Sequence, residues 1–136
     1  MDNPFDGILN SPVSMSMRQK PVMVSLLQPV SGLAYMMIKE NIGAVIVVEK
    51  DRPVGIITEK DILDRVVTPG KDVYKTLAKD VMSMPVITIE ASSLLKEALE
   101  LIKKKKIRRL VVIEEGSIVG LVTERRLLEK IVNSII

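Results

Sequence analysis

Two hydrophobic rhythms alternate along this chain: short apolar runs, and longer stretches with apolar residues three and four apart. Val54, Gly55, Ile56 and Ile57 are apolar and mostly β-branched, which suits a buried strand. They run straight into Thr58, a good helix N-cap, and Asp61 follows three positions on, where a carboxylate reaches back to the cap. Ile62, Leu63, Val66 and Val67 then recur at helical spacing. The pattern returns at Gly120-Leu121-Val122-Thr123-Glu124-Arg125-Arg126-Leu127-Leu128, 65 positions after Gly55. In that second copy Arg126 stands where the first has Asp61.

Taken in order, residues 1–20 show no clear period and carry turn markers at Pro4, Gly7, Asn10 and Pro12. They are set apart as an N-terminal segment. A first half follows over 21–70: a strand around Val22-Met23-Val24, a helix capped by Ser31, strands over 44–48 and 54–57, and a helix over 59–67. Thr68-Pro69-Gly70 stops that helix. Residues 71–84 read as a connector, with Val73, Leu77 and Val81 on one side of a short helix. The second half, 85–136, repeats the order. It opens with a strand over 85–89, then a helix capped by Ser92 or Ser93 and running to about Lys105. Strands over 109–113 and 118–122 and a last helix over 124–132 complete it.

Identities place the early part of the two halves 64 positions apart (Pro21 and Pro85, Ala34 and Ala98, Ile38 and Ile102) and the later part 65 apart (Ile42 and Ile107, Thr58 and Thr123). One extra residue in the 103–106 run would explain the change. Two copies are too few for a solenoid. Two β-α-β-β-α units, each with an apolar sheet face to cover, are instead expected to pack about a pseudo-two-fold axis. The expected class is α/β.

Composition narrows the function. The chain has 136 residues, no Cys and no His. A disulfide framework and thiol chemistry are therefore excluded, and the usual neutral-pH general base and commonest transition-metal ligand are missing. No P-loop or Gly-x-Gly-x-x-Gly run is present, so no catalytic residues and no metal site are assigned. No apolar run approaches a membrane span, and the start lacks a leader pattern, so the expected setting is cytoplasmic, away from membranes. Net charge is only +3, and the aromatic residues are Phe5, Tyr35 and Tyr74. Lys103–Lys106, Arg108 and Arg109 concentrate the basic charge; the lysines suit a helix C-terminus, whereas arginines at a strand start suit phosphate.

With these features both halves resemble cystathionine β-synthase (CBS) domains, and the pair resembles the CBS-pair, or Bateman, module. The resemblance rests on the β-α-β-β-α order, the Gly55-x-x-Thr58-x-x-Asp61 step, Asp80-Val81-Met82 leading to Pro85-Val86, and Ile107-Arg108-Arg109-Leu110 entering a strand. It spans roughly residues 20–132. It implies a regulatory module that needs no cofactor and binds an adenine nucleotide as ligand. By the same resemblance Asp61 holds the ribose hydroxyls and Thr58 the ribose–phosphate region. Arg108 and Arg109 face the phosphates, and Ile56, Pro85, Ile87 and Ile107 contribute to the site. The symmetry-related set is Val22, Ile42, Gly43, Ala44, Leu121, Thr123 and Arg126. It is poorer, because Arg126 cannot accept from a ribose and no arginine replaces Gly43 or Ala44.

The expected function is thus a stand-alone sensor of AMP, ADP or ATP, with S-adenosylmethionine less favoured, that forms a homodimer and signals to an effector protein. Two alternatives carry different chemistry. One is a nucleic-acid-binding module using the cluster from Lys103 to Arg109. The other is a ligand-free dimerisation module.

Overall fold

The computed structural model describes residues 3–136. Its elements in order are α1 (Asp6–Leu9), a 3-10 turn (Val13–Met15), β1 (Arg18–Gln19), β2 (Met23–Ser25), α2 (Val30–Lys39), β3 (Ala44–Glu49), β4 (Arg52–Thr58) and α3 (Glu59–Ile62). A π-helical turn, Leu63–Val67, prolongs α3. There follow α4 (Ala78–Val81), β5 (Thr88–Glu90), α5 (Leu95–Lys105), β6 (Arg109–Glu114), β7 (Ser117–Thr123) and α6 (Glu124–Asn133). Both repeats therefore fold as β-α-β-β-α, the class expected from the sequence.

The chain divides into two compact units. The first is Pro21–Val86; the second joins the described residues up to Lys20 to Ile87–Ile136. In the first unit the sheet order is β2-β3-β4, with β2 parallel and β4 antiparallel to β3. The second has β5-β6-β7 in the same relation, and β1 adds an antiparallel strand outside β7. Alternation along β3 sends Val45 and Val47 into a core with Val30, Leu33 and Met37 of α2. Leu110 and Val112 of β6 do the same with Leu95, Ala98 and Ile102 of α5. Burying one such aliphatic side chain contributes about 1.5–3 kcal/mol.

These cores correct the register expected from identities. Every structural match is 65 positions apart: Met23 pairs Ile46 as Thr88 pairs Val111, and the buried residues Val30, Leu33 and Met37 answer Leu95, Ala98 and Ile102. Ile38 does not correspond to Ile102: the first is 82% exposed and the second 3%. No residue is inserted in the 103–106 run. Identity misled there because helix surfaces tolerate many residues, whereas burial follows the period of the fold.

The expected caps also differ. Pro29, not Ser31, is the N-cap of α2, and Leu94, not Ser92 or Ser93, is that of α5. Backbone carbonyls satisfy the first free amides instead. Val30 N–H donates to Thr76 O (2.9 Å) and Ser31 N–H to Val73 O (2.9 Å), while Leu95 N–H donates to Ser11 O (2.9 Å). Glu97 adds a carboxylate that accepts from Leu94 N–H at 3.0 Å.

Residues 71–86 and 3–20 thus do the same work in the two units. Leu77 bridges Pro29 as Pro12 bridges Leu94. Ala78 and Val81 enter the first core, and Val13 the second. Ser83 then pairs with Ile56 of β4, and Arg18 with Leu121 of β7. The close approach needs a strand residue without a side chain. A Cβ on Gly55 would lie 2.8 Å from Met82 Cγ, and one on Gly120 would lie 2.8 Å from Met17 Cγ and 3.0 Å from Arg18 O. Gly55→Ala and Gly120→Ala should therefore each destabilise the fold by about 1–3 kcal/mol in urea titration. Gly7→Ala, where nothing lies within 4 Å, is the control and should not destabilise; equal behaviour of all three would show that the methionines simply yield.

Candidate functional site

The step from β4 into α3 places Thr58 at a helix N-cap, with its backbone still extended. Thr58 N–H donates to Asp61 Oδ2 at 2.9 Å, Thr58 Oγ1 donates to the same oxygen at 3.0 Å, and Asp61 N–H donates to Thr58 Oγ1 at 3.2 Å. This is a complete capping box. The other carboxylate oxygen, Oδ1, accepts from Ser83 Oγ at 3.2 Å and lies 3.8 Å from Arg65 Nη2. Arg65 Nη1 in turn donates to the carbonyls of Val81 (2.8 Å) and Met82 (3.0 Å). Asp61 is only 13% exposed at its side chain. Its carboxylate therefore fastens the segment carrying Ser83 to the start of α3, in addition to any part in binding.

Arg126 occupies the same position at the start of α6. Its N–H donates to Thr123 Oγ1 at 3.0 Å, and its Nε donates to Ser16 O at 2.9 Å. Ser16 belongs to the segment that lies along β7, as Ser83 belongs to the one along β4. The exchange of acid for base between the copies therefore reverses the polarity of one tether: a carboxylate accepts from a serine hydroxyl in the first unit, and a guanidinium donates to a serine carbonyl in the second.

The remaining expected residues fall into two groups. Ile42 is buried in the core of the first unit, with Val22 packed against it; Ile87 and Ile107 are packed against the core of the second. Ile56 and Leu121 are buried, whereas Pro85 is exposed. Gly43 and Ala44 open β3: Glu59 N–H donates to Gly43 O at 3.2 Å, and a Cβ on Gly43 would come within 2.8 Å of Glu59 Oε1. The corresponding ground in the second unit is cationic. Glu124 N–H donates to Arg108 O at 2.9 Å, Arg109 pairs with Thr123 across the sheet, and both arginines line a depression of about 440 Å³ with Thr123, Glu124, Arg125 and Leu128. The sequence reading set the arginines and Thr123 in different sites; within the second unit they border one depression.

Sequence reasoning missed Arg125 at this depression and Ser83, Ser16 and Arg65 as tethers. The Gly-Met matches, Gly55 with Met82 and Gly120 with Met17, stand at the same 65-residue spacing and would have marked the tethering segments. Among the described residues no three His, Cys, Asp or Glu side chains gather as a metal site requires, and no helix is long and apolar enough to cross a membrane.

Comparison with known proteins gives the same repeat. The profile of the CBS domain matches residues 13–68 and 78–133, two spans 65 positions apart. An uncharacterized protein of Methanopyrus kandleri is 43% identical over 99 residues, covering 71% of this chain and 50% of its own. The chain thus spans about half the length of that relative. The crystal structure of an uncharacterized conserved protein from Pyrococcus horikoshii superposes with a TM-score of 0.77 at 29% identity, covering 96% of this chain and 94% of that one. The CBS domain of a bacterial CNNM/CorC family Mg2+ transporter, in complex with ATP, shares the fold at a TM-score of 0.81 and 21% identity, covering 95% and 92%.

The tethers are open to test. Asp61→Ala should cost about 0.5–2 kcal/mol through the lost cap, and Arg126→Ala about 1 kcal/mol through the lost hydrogen bond to Ser16. Both are read by chemical denaturation without ligand. An Arg126→Ala protein as stable as the parent would show that the second tether carries no load.

Proposed function

The chain belongs to the CBS domain family, of which it carries two copies, and on that premise we propose that it senses an adenine nucleotide and reports occupancy to a partner protein. CBS domains are non-catalytic regulatory modules, so the ligand acts by binding alone. It shifts the protein between states only by its difference in affinity for them.

The observation that carries this reading is the cationic depression of about 440 Å³ where β7 enters α6. Arg108, Arg109 and Arg125 supply guanidinium forks, and the start of α6 supplies the positive end of its dipole. The same place in the first unit carries Gly43, Ala44 and Lys60. In the proposal the phosphates go to Arg108 and Arg109, and the ribose to Asp61 with Thr58. The base is flanked by Ile56, Pro85, Ile87 and Ile107. Asp61 can serve a ribose through Oδ1, whose partner Ser83 Oγ is a neutral hydroxyl at 3.2 Å and exchangeable for another. Support for the ligand class also comes from the ATP complex of the transporter CBS domain, which has the same fold.

AMP, ADP and ATP should raise the melting temperature more than adenosine does. S-adenosylmethionine, with a sulfonium cation near the arginines, should do worse. Each charge-assisted hydrogen bond is worth about 1.5–3 kcal/mol, so the Arg108→Ala, Arg109→Ala double change should weaken AMP at least about tenfold. Asp61→Ala should remove most of the affinity, with one nucleotide bound per chain in the parent by calorimetry. Equal binding of S-adenosylmethionine and AMP would overturn the phosphate assignment. No stabilisation by any member of the series would leave an assembly module without ligand.

Self-association belongs to the same proposal. Leu63 and Val67 stand exposed one helical turn apart in the first unit, and Leu128 and Val132 do so at the matching positions in the second. Two exposed aliphatic pairs at the same place in both repeats suit burial against a second copy. Light scattering at micromolar concentration should give the mass of a homodimer, and Leu63→Glu with Leu128→Glu should return a monomer. A monomeric parent protein would refute this.

A further inference from the structure

The C-terminal end of α5 carries four lysines, Lys103 to Lys106, that neither the fold nor the nucleotide reading uses. Lys103, Lys104 and Lys105 form its last turn, Lys106 caps it in the left-handed region (φ 54°), and Arg108 follows, all five exposed. The ion pairs Lys60 with Asp64, Arg65 with Asp61, and Arg125 with Glu129 involve none of these five residues. The helix dipole accounts for little of this charge. At the same end α2 has a single lysine, Lys39, and the equivalent run is Ile38, Lys39, Glu40, Asn41 and Gly43, whose charges cancel. Asn41 holds the same backbone conformation as Lys106 (φ 53°) and suits it better. The charge is also strictly local. Residues 103–109 hold 6 of the 20 Lys and Arg and no acid, leaving 14 against 17 Asp and Glu elsewhere, a net −3. The net positive charge of the chain therefore comes from this one run.

We infer that this helix end docks on the phosphate backbone of a nucleic-acid duplex, without reading its sequence. Successive residues on a helix point about 100° apart, so the four lysines fan around the end of α5 instead of forming one flat face. Such a crown meets a curved, densely charged backbone from several sides. Stacking on unpaired bases has no support here: Tyr35 and Tyr74 lie in the first unit, and the second has only Phe5. An acidic protein partner would want apolar anchors among the charges, and Ile107, the one apolar residue in the run, is packed against the core. What remains is contact with phosphates, which positions but does not specify.

The test is fluorescence anisotropy of the whole chain with a labelled DNA duplex and an RNA duplex of the same length, across a salt series. Four phosphate contacts, one per lysine, predict a loss of affinity of about 10²-fold between about 50 mM and 200 mM salt. The decisive variant carries Lys105→Glu and Lys106→Asn. It should weaken binding more than about tenfold and lower the salt slope by about 2. If it fails to fold by circular dichroism, Lys103→Gln with Lys104→Gln repeats the measurement at surface positions. No duplex binding at the lowest salt, or a slope the variants leave unchanged, overturns the inference. So does a polyglutamate peptide that displaces the duplex at equal charge concentration, which would point to an acidic protein surface.

Discussion

Each three-stranded sheet of this protein ends on a strand whose outer backbone groups need partners, and the whole arrangement depends on how they are supplied. β4 and β7 would be open edges. Ser83 exchanges both backbone hydrogen bonds with Ile56, and β1 pairs along β7. The profile of the family places residues 13–20 at the start of the first repeat and 78–86 at the start of the second. The compact units assign them the other way round. Each repeat thus gives its leading segment to the other, and neither sheet closes from its own repeat alone. The bare glycines opposite Met17 and Met82, the backbone-capped helices and the paired tethers at Asp61 and Arg126 all serve that exchange.

This exchange explains what could and could not be read from the residues. Strand and helix positions were legible because Val45, Val47 and Ile57, or Leu110, Val112 and Val122, follow the period of a sheet with one face in a core. The N-cap at Thr58 was legible because a capping box is local. The caps of α2 and α5 were not, because their amides are met by carbonyls from Thr76 and Ser11, distant or unremarkable in sequence. The register was missed for a related reason. Shared prolines and alanines suggested a slip, while the buried positions keep a constant spacing from residue 12 onward.

The candidate site was legible in part. Arg108 and Arg109 do border a depression at a helix start, and Arg125, to which the sequence reading assigned no role, joins them. Asp61 shows the limit of motif reasoning. The spacing Thr-x-x-Asp marks the cap of a helix and, by the family resemblance, suggests a ribose contact, while the geometry fills most of the carboxylate with structural partners. Spacing alone does not choose between the two. The contrast with Arg126 at first points to ligand chemistry, yet both residues hold a tethering segment with opposite polarity.

Reciprocal exchange also fixes an order of assembly during synthesis. The first unit is one continuous stretch, Pro21–Val86, and has all its parts once residue 86 has emerged. The second joins residues 3–20 to residues 87–136. β1 at Arg18–Gln19 has its partner only when Gly120 and Leu121 are made, about a hundred residues later. At roughly 5–20 residues per second, that strand waits on the order of 5–20 s. Its own composition suits the wait: Arg18, Gln19 and Lys20 are polar, exposed in the finished sheet, and poor partners for a wrong edge in the meantime.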